Sequence, residues 1–211
     1  PKPPSALLRS LVGSEMCIRD SIEFRFPFGF KELEGIHSRT DFDLKAHQEY
    51  SGRKVQYFDP EINESYTPFV IETSIGLDRM FLAVFSMAFT EELLENGSTR
   101  TLLKIPPILA PIKLAILPLV KKDGLSEYAK KIYDELKVHF NIAYDEKDAV
   151  GRRYRRQDAI GTPVCLTVDH DSIRDNSVTL RFRDSMDQIR VNVSDVKNEI
   201  DNRINISNWL S

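Results

Sequence analysis

The stretch "FVIETSIGLDRMFLAVFSMAF", Phe69–Phe89, contains the residues that decide the fold of the first half of the chain. Its β-branched beginning, Pro68–Thr73, predicts a short buried strand. A helix is predicted from about Leu77 to Leu94, and the Asn96-Gly97 dipeptide that follows is a helix stop signal. The stretch is therefore interpreted as a strand that turns directly into a helix.

The turn between strand and helix ends in Arg79, which opens a nearly uninterrupted apolar run from Met80 to Phe89. That run is about half the length that spans a bilayer, and a helix apolar on every side is typical of a buried core. A guanidinium at its first turn needs a partner, because it does not deprotonate. Two partners fit: an internal carboxylate, or an anionic ligand such as a phosphate, which Gly76 and the helix N-terminus would also favour.

Two polar residues close the predicted strand. Glu72 and Ser74 are two positions apart, so an extended backbone directs both side chains to the same side. A carboxylate beside a hydroxyl can bind an ammonium group. Alternatively, Glu72 and Ser74 cap the helix that follows, and spacing alone slightly favours this second interpretation.

Composition limits the function classes. The chain has 211 residues, 41% hydrophobic and 29% charged, which is typical of a soluble globular protein with one or two domains. Its formal charge of −3 does not predict nucleic-acid binding, which would need a local basic patch. Cys17 and Cys165 form neither a disulfide framework nor a zinc motif. The spacing of His37, His47, Asp41 and Asp43 matches no standard metal-ligand set.

The first 21 residues lack a clean hydrophobic period and do not have the pattern of a signal peptide. We interpret residues 1–21 as a non-native or disordered leader. After it, "IEFRF" alternates weakly, Arg53–Asp59 is predicted as a strand, and "DPEINESY" as a hairpin turn.

Three prolines between Ile105 and Pro111 predict a domain boundary at about 98–110. Beyond them, strand patterns alternate with helical ones, which favours a mixed, partly parallel sheet of roughly 100 residues. An amphipathic helix is predicted in "GLSEYAKKIYDELKVHF" and a second in "DVKNEIDNRI". The predicted strands are "IKLAILPLV", "NIAYDEK", "PVCLTVD", "SVTLRFRD" and "QIRVNV".

The phrase "GRRYRRQ" places four arginines around Tyr154: Arg152, Arg153, Arg155 and Arg156. Guanidinium groups bind phosphate or stack on bases, and tyrosine can stack on an unpaired base. The same pattern also fits a solvated basic surface that neutralises the acidic "YDEKDA" before it. The residues alone leave both interpretations open.

Longer phrases resemble a known family. "PFVIETSIGLDRMFLA" resembles the third signature motif of class II aminoacyl-tRNA synthetases. "FPFGFKELEGIHSRTDFDLKAH" and "GRKVQYFDPEINESYTPFVIETSIGLDR" are similar to the homodimeric type of glycyl-tRNA synthetase. "LAPIKLAILPLVKKDGLSEYAKKIYDELK" and "GRRYRRQDAIGTPVCLTVDHDS" are similar to its anticodon-binding domain. The resemblance implies an α/β (α+β) fold: the remnant of a class II antiparallel-sheet catalytic domain at residues 22–100, and a mixed-sheet anticodon-binding domain at 101–211.

The resemblance also implies the site residues. ATP, with Mg²⁺, would be held by Glu32, Leu33, Gly76, Leu77, Asp78 and Arg79, of which Arg79 is the catalytic residue. Glycine would be held by Glu72, Thr73, Ser74, Ile75 and Gly76. The family usually has proline where this chain has Thr73, which alters backbone rigidity more than chemistry. The four arginines around Tyr154 would contact tRNA.

The implied activity is ATP-dependent activation of glycine and its transfer to tRNA(Gly) by an enzyme expected to be a homodimer when complete. No motif of a membrane protein is present, and such enzymes work in the cytoplasm and in organelles. Nothing before Ile22 resembles the arginine loop that the family uses on the α-phosphate, so we expect this chain alone to be inactive. The alternative is a non-catalytic tRNA-binding module derived from such a synthetase.

Overall fold

A computed structural model describes the backbone of residues 7–11 and 19–207, with side chains from residue 21 onward. The chain divides into two compact units, one up to Ser86 and one from Met87. The predicted boundary at 98–110 thus lies later than the structural division. The reason is a strand hairpin after residue 88, whose Arg100 is held by an ion pair inside the second unit.

The first unit is built on an antiparallel sheet of four strands in the order β1-β2-β3-β6. An antiparallel sheet agrees with the fold implied for this half. Between β3 and β6 the chain forms a helix and a small hairpin, and a second helix follows β6. The bounds are β1 Leu7–Leu11, β2 Arg19–Phe26, β3 Gly29–Thr40, α1 Phe42–Ser51, β4 Tyr57–Asp59, β5 Glu64–Tyr66, β6 Val70–Ile75 and α2 Leu77–Ala88.

The segment interpreted as a leader contributes to this sheet. β1 pairs antiparallel with β2, from Leu7 opposite Glu23 to Leu11 opposite Arg19. The prediction of a non-native or disordered leader therefore differs from the structure at residues 7–11 and 19–21. Residues 1–6 and 12–18, which belong to the same prediction, lie outside the described residues.

Two predicted elements are shorter than expected. The strand predicted over Arg53–Asp59 is confined to Tyr57–Asp59, although the hairpin turn after it is present and joins β4 to β5. The helix predicted to reach Leu94 ends at Ala88. Residues Phe89–Leu93 form a strand instead, and the Asn96-Gly97 signal makes a hairpin turn with Gly97 at a φ of 77°.

The prediction that α2 is buried on every side is wrong for the described residues. Of its side chains only Ala83 and Ala88 are fully buried, whereas Leu77, Phe81 and Phe85 are exposed. Ala83 packs on Phe24 and Phe26 of β2, so the helix buries a narrow stripe against the sheet. The sequence could not distinguish a helix buried on all sides from one buried on one side.

The second unit contains the hairpin and a mixed sheet of five strands in the order β10-β9-β11-β12-β13. β9, β10 and β11 are parallel, whereas β12 and β13 are antiparallel to their neighbours. The predicted mixed, partly parallel sheet is confirmed. The bounds are β7 Phe89–Leu93, β8 Thr99–Leu103, β9 Leu114–Pro118, α3 Leu125–Leu136, β10 Ile142–Tyr144, α4 Val150–Ile160, β11 Val164–Val168, α5 His170–Asp175, β12 Ser177–Phe182, β13 Gln188–Asn192 and α6 Val196–Ile204.

The core of the second unit is closed. Every residue of β9 and β11 is buried, as expected for central strands covered on both faces. The predicted helical face of α3 supplies Leu125, Ala129 and Ile132 to this core. Cys165 of β11 lies in a separate buried cluster with Ala115 and Leu117, and its burial raises the pKa of the thiol to about 12. The central strands of this unit thus lie in a continuous buried core, although other apolar side chains of the unit, such as Leu93 and Val138, are exposed.

Candidate active site and RNA-binding surface

One face of the β3–β6 pair collects polar residues. His37 lies opposite Glu72 and Gly35 opposite Ser74, and cross-strand partners direct their side chains to the same face. Glu72 and Ser74 therefore share a face, as their spacing predicts. Gly35 has no side chain, and the His37 ring leans over it: a Cβ at Gly35 would lie 2.8 Å from the Nε2 of His37.

Glu72 has a partner that the sequence did not reveal. The Nε of Arg39 donates to its Oε2 at 2.6 Å, across the β3–β6 pair. This hydrogen bond is the main reason why the pKa of Glu72 is lowered. The carboxylate is 39% exposed, so it stays ionised and accessible at neutral pH. In this structure Glu72 makes an ion pair rather than capping α2.

Arg79 lies at the start of α2, as predicted, but its surroundings differ from those predicted. The side chain is exposed rather than buried. Its Nη1 donates to the backbone carbonyl of Glu32 at 2.6 Å, and it forms no ion pair with a carboxylate of the described residues. In the part of the chain with described side chains, nothing therefore neutralises its positive charge. This hydrogen bond also brings the β3 residue Glu32, exposed itself, beside the turn that carries Arg79.

The arginines around Tyr154 lie on α4 and have three different environments. Arg153 is buried: its Nη1 donates to the carbonyls of Pro118 and Asp145 at 2.7 and 3.0 Å, and its Nη2 donates to that of Leu119 at 3.2 Å. The prediction that Arg153 contacts tRNA directly is therefore corrected. It is a structural residue that binds carbonyls at the C-terminal ends of β9 and β10.

The other three arginines are closer to the surface. Arg156 is exposed but forms ion pairs with Asp145 at 2.7 Å and with Asp148 at 2.9 Å. At this arginine the structure fits the alternative interpretation, in which the basic segment neutralises the acidic segment "YDEKDA" before it. Arg152 is exposed and Arg155 is half-buried. No described residue accepts a hydrogen bond from either guanidinium, so both charges can meet an external phosphate.

Tyr154 is held in place by its own unit. Its hydroxyl lies 2.5 Å from the Oγ1 of Thr167, and the guanidinium carbon of Arg181 lies 4.7 Å from its ring centroid. Burial raises the pKa of this phenol. The predicted stacking of Tyr154 on an unpaired base does not fit a ring already covered by Arg181.

Comparison with known proteins adds the family to this geometry. The Anticodon binding domain family (HGTP_anticodon) matches residues 113–203, most of the second unit. The chain is 53% identical to the glycine–tRNA ligase of Treponema denticola over 86% of its own length and 42% of that protein. It is 54% identical to the glycine–tRNA ligase of Macrococcus caseolyticus, over 87% of this chain and 39% of that protein.

The chain belongs to the glycyl-tRNA synthetase family. It matches the C-terminal part of the family and spans about two fifths of the length of these relatives. Among solved structures, the RNA-binding domain of threonyl-tRNA synthetase from Cryptosporidium parvum superposes on 88% of this chain and 42% of its own, with a TM-score of 0.65 and 19% identity. That likeness supports the fold alone.

The positions carried over from the glycyl-tRNA synthetase family fall into two groups. Glu72 and Ser74 lie on the polar face, and Gly76, Asp78 and Arg79 lie at the turn. Thr73 and Ile75 direct their side chains to the opposite face of β6. Only their backbone groups can therefore contact a ligand on the polar face. Leu33 is half-buried and packs on the Phe24–Phe26 core, whereas Leu77 is exposed.

Two neighbours of the candidate site were missed by the sequence reasoning: Arg39 and His37. The phrase "RTDFDL" contains Arg39, but nothing in it indicates a partner 33 residues away, because the β3–β6 register makes that pairing. Within residues 21–207, no group of three potential metal-ligating side chains comes together. No helix in that part of the chain is long and apolar enough to cross a bilayer.

Proposed function

We propose that this chain is the C-terminal part of a glycine–tRNA ligase, which activates glycine with ATP and transfers it to tRNA(Gly). The observation that carries the proposal is the shared face of Glu72 and Ser74 together with an Arg79 whose charge has no carboxylate partner among the described residues. Identity of 53% to a glycine–tRNA ligase supports reading these positions as a substrate site.

In this proposal Glu72 binds the ammonium of glycine. Arg39 occupies Oε2 and keeps the carboxylate ionised, which leaves Oε1 available to the ligand. The Ser74 hydroxyl contributes a second polar contact on the same face. Glycine has no side chain to recognise, so selection against larger amino acids would be steric, and one added methyl costs about 1–3 kcal/mol in a close-packed pocket.

ATP would bind at the turn, with Arg79 on its phosphates. A charge-assisted hydrogen bond of this kind contributes about 1.5–3 kcal/mol, and the start of α2 adds a favourable dipole. The exposed Glu32 carboxylate can share a Mg²⁺ with the phosphates, since Mg²⁺ is usually held by one or two carboxylates together with water and phosphate oxygens. The metal would neutralise charge on the departing pyrophosphate. Positioning and electrostatics are then the main sources of rate.

The second unit would bind the anticodon region of tRNA(Gly), with Arg152 and Arg155 on the RNA backbone. Filter binding of labelled tRNA(Gly) by the chain tests this at several salt concentrations. Substituting either arginine by glutamine should weaken tRNA binding. It should also make the negative slope of the log association constant against log salt concentration less steep, by about 0.7–0.9 for each lost phosphate contact. The exposed Arg53 of the first unit gives a matched control, Arg53→Gln, which should change neither.

Catalysis is tested separately by glycine-dependent ATP–pyrophosphate exchange. The chain alone is expected to be inactive, because the arginine loop of the family has no counterpart in its sequence. Exchange by the purified chain would overturn that expectation.

The alternative function is a tRNA-binding module without catalysis, which predicts tRNA affinity and no exchange even when a family N-terminal part is supplied. An in-frame upstream coding region with the arginine loop would favour the ligase. We propose a cytoplasmic location and, for the complete enzyme, a homodimer.

A further inference from the structure

A cavity of about 520 Å³ lies in the second unit, at the edge of the five-stranded sheet where β11 begins. It is lined by Pro163, which immediately precedes β11, and by Phe182, the last residue of β12, which pairs with Val164 of β11. Ile189 of β13 and Pro107 add further apolar walls. The volume is within the range of about 300–1,000 Å³ that is typical of small-molecule sites.

The cavity is separate from the surface proposed for Arg152 and Arg155. α4 begins shortly after β10 ends, and it ends at Ile160, shortly before Pro163 and β11. Because β10 and β11 are both parallel to β9, the helix crosses from one edge of the sheet to the other. Arg152 lies in the first turn of α4, at the end of the helix far from the cavity.

The floor of the cavity is an arginine stacked on an aromatic ring, so we refer to it as the Phe182–Arg203 cavity. The guanidinium carbon of Arg203, on α6, lies 3.5 Å from the ring centroid of Phe182. Phe182 is half-buried and packs against the core of the second unit, which fixes the ring. Arg203 is exposed, and no described residue accepts a hydrogen bond from its guanidinium. The outer face of this planar group is therefore available for stacking.

Two carboxylates line the same cavity, and a described residue neutralises only one of them. Asp184 forms a bidentate ion pair with the buried Arg183, whose Nε is 2.7 Å from Oδ1 and whose Nη2 is 3.0 Å from Oδ2. Asp187 is exposed, and its carboxylate accepts no hydrogen bond from a described residue. Its backbone is fixed, because its carbonyl accepts from the N–H of Phe182 at 3.0 Å. The cavity thus offers a ligand one guanidinium and one carboxylate.

These two groups decide which ligand fits. A phosphate group would be repelled by the carboxylates of Asp184 and Asp187. A nucleobase is planar and neutral, so it can stack on Arg203, and an exocyclic amino group on the base can donate to Asp187, as the N4 amino group of cytosine does to carboxylates. We propose that the Phe182–Arg203 cavity binds a nucleobase that carries an exocyclic amino group. The base can belong to a free nucleoside or to an unpaired position of RNA, and the site does not depend on the proposed ligase activity.

Chemical-shift titration of the whole isotope-labelled chain tests the site with cytidine and uridine. The two nucleosides differ at the position where cytidine has the amino group. Cytidine should shift the amide signals of Phe182, Asp187 and Arg203, and it should bind at least about tenfold more tightly than uridine, because only cytidine donates to the carboxylate. Neither probe carries a phosphate or an adenine, so the titration is independent of the proposed ATP site.

Substitutions assign the contacts. Asp187→Asn should remove the preference for cytidine over uridine, because an amide can both accept and donate a hydrogen bond. Arg203→Gln should weaken binding of cytidine about fivefold or more, because it removes the planar cation on which the base stacks. Asp201→Asn is the matched control on α6, since Asp201 pairs with Lys197 on the same helix and does not line the cavity, and it should change neither affinity.

Filter binding of labelled tRNA(Gly) identifies the source of the base. If RNA supplies it, Arg203→Gln weakens tRNA binding without changing its salt dependence; if a free nucleoside does, tRNA binding is unchanged and cytidine still binds. A shallower salt dependence in Arg203→Gln would mean a phosphate contact and overturn the proposal. Equal affinity for cytidine and uridine would also overturn it, as would the absence of cytidine-dependent shifts together with unchanged tRNA affinity in Arg203→Gln. Absence of ATP–pyrophosphate exchange would count against the proposed catalysis and not against this site.

Discussion

Asp158 and Arg100 lie 58 residues apart and form an ion pair from which water is excluded: the Nε of Arg100 is 2.9 Å from the Oδ2 of Asp158, and both side chains are fully buried. Asp158 also accepts from both Nη atoms of Arg181, at 2.9 and 3.1 Å. One carboxylate on α4 thus joins the β7–β8 hairpin to the five-stranded sheet. This pair explains why the hairpin belongs to the second unit.

Removing the charge of Asp158 should therefore destabilise the second unit. Asp158→Asn leaves Arg181 buried without its carboxylate partner and leaves Arg100 with Glu92 alone, 3.0 Å from its Nη1. Breaking a buried pair in this way costs about 3–5 kcal/mol. Urea unfolding followed by circular dichroism measures the change. The matched control is Asp134→Asn, because Asp134 pairs with Lys137 at the surface and should change stability by no more than about 0.5 kcal/mol. Equal effects of both substitutions would contradict the prediction.

Arg153 and Arg155 are neighbours on α4 for which we predict opposite phenotypes. Arg153→Gln removes donors from three carbonyls and should lower the free energy of unfolding by about 1–3 kcal/mol. Arg155→Gln should leave stability unchanged and weaken binding of tRNA(Gly). The measurements are urea unfolding and filter binding on the same preparations. If Arg153→Gln were as stable as the unsubstituted chain but bound tRNA(Gly) less tightly, the prediction would be wrong and Arg153 would have a role in tRNA binding.

The Arg39–Glu72 pair makes a prediction about pH. Arg39 lowers the pKa of Glu72 from its ordinary value of 4.5, so the pair contributes stability above that value and loses it as the pH falls through the lowered pKa. Arg39→Gln should raise the pKa of Glu72 toward 4.5, which carbonyl-detected NMR titration can follow. Arg25→Gln, an exposed arginine on β2, is the control and should leave that titration unmoved. An unchanged Glu72 pKa in Arg39→Gln would show that the pair does not persist in solution.

Gly→Ala substitutions at two glycines with positive φ distinguish the backbone-strain cost of adding a side chain from the cost of a steric clash. Gly97 has a φ of 77° with no atom within 4 Å of a Cβ built on it, so Gly97→Ala should cost about 1–2 kcal/mol. Gly161 has a φ of 87°, and its Cβ would lie 2.8 Å from Ile105 Cδ1 and 3.1 Å from the carbonyl oxygen of Leu103. Gly161→Ala should therefore destabilise more than Gly97→Ala by about 1 kcal/mol or more. Urea unfolding of both variants compares them directly, and equal losses would mean that Ile105 relaxes without cost.

Much of the second unit was predictable from local pattern. The predicted strands of its sheet and the amphipathic helix α3 are present, because each is encoded by periodicity within about 5–15 residues. The same holds for the same-side placement of Glu72 and Ser74 on β6, which requires only an extended backbone.

The environment of each charged side chain was not predictable. "GRRYRRQ" looks like one basic patch, yet Arg153 is buried on carbonyls and Arg156 pairs with Asp145 and Asp148. The sequence alone determined the strands of the five-stranded sheet, the helices α3 and α6, and which residue types occupy the turn before α2. Only the tertiary structure decided which charges are neutralised internally, as in Arg100–Asp158, and which stay available, as at Arg79, because ion pairs depend on strand register and helix packing between residues far apart in the chain.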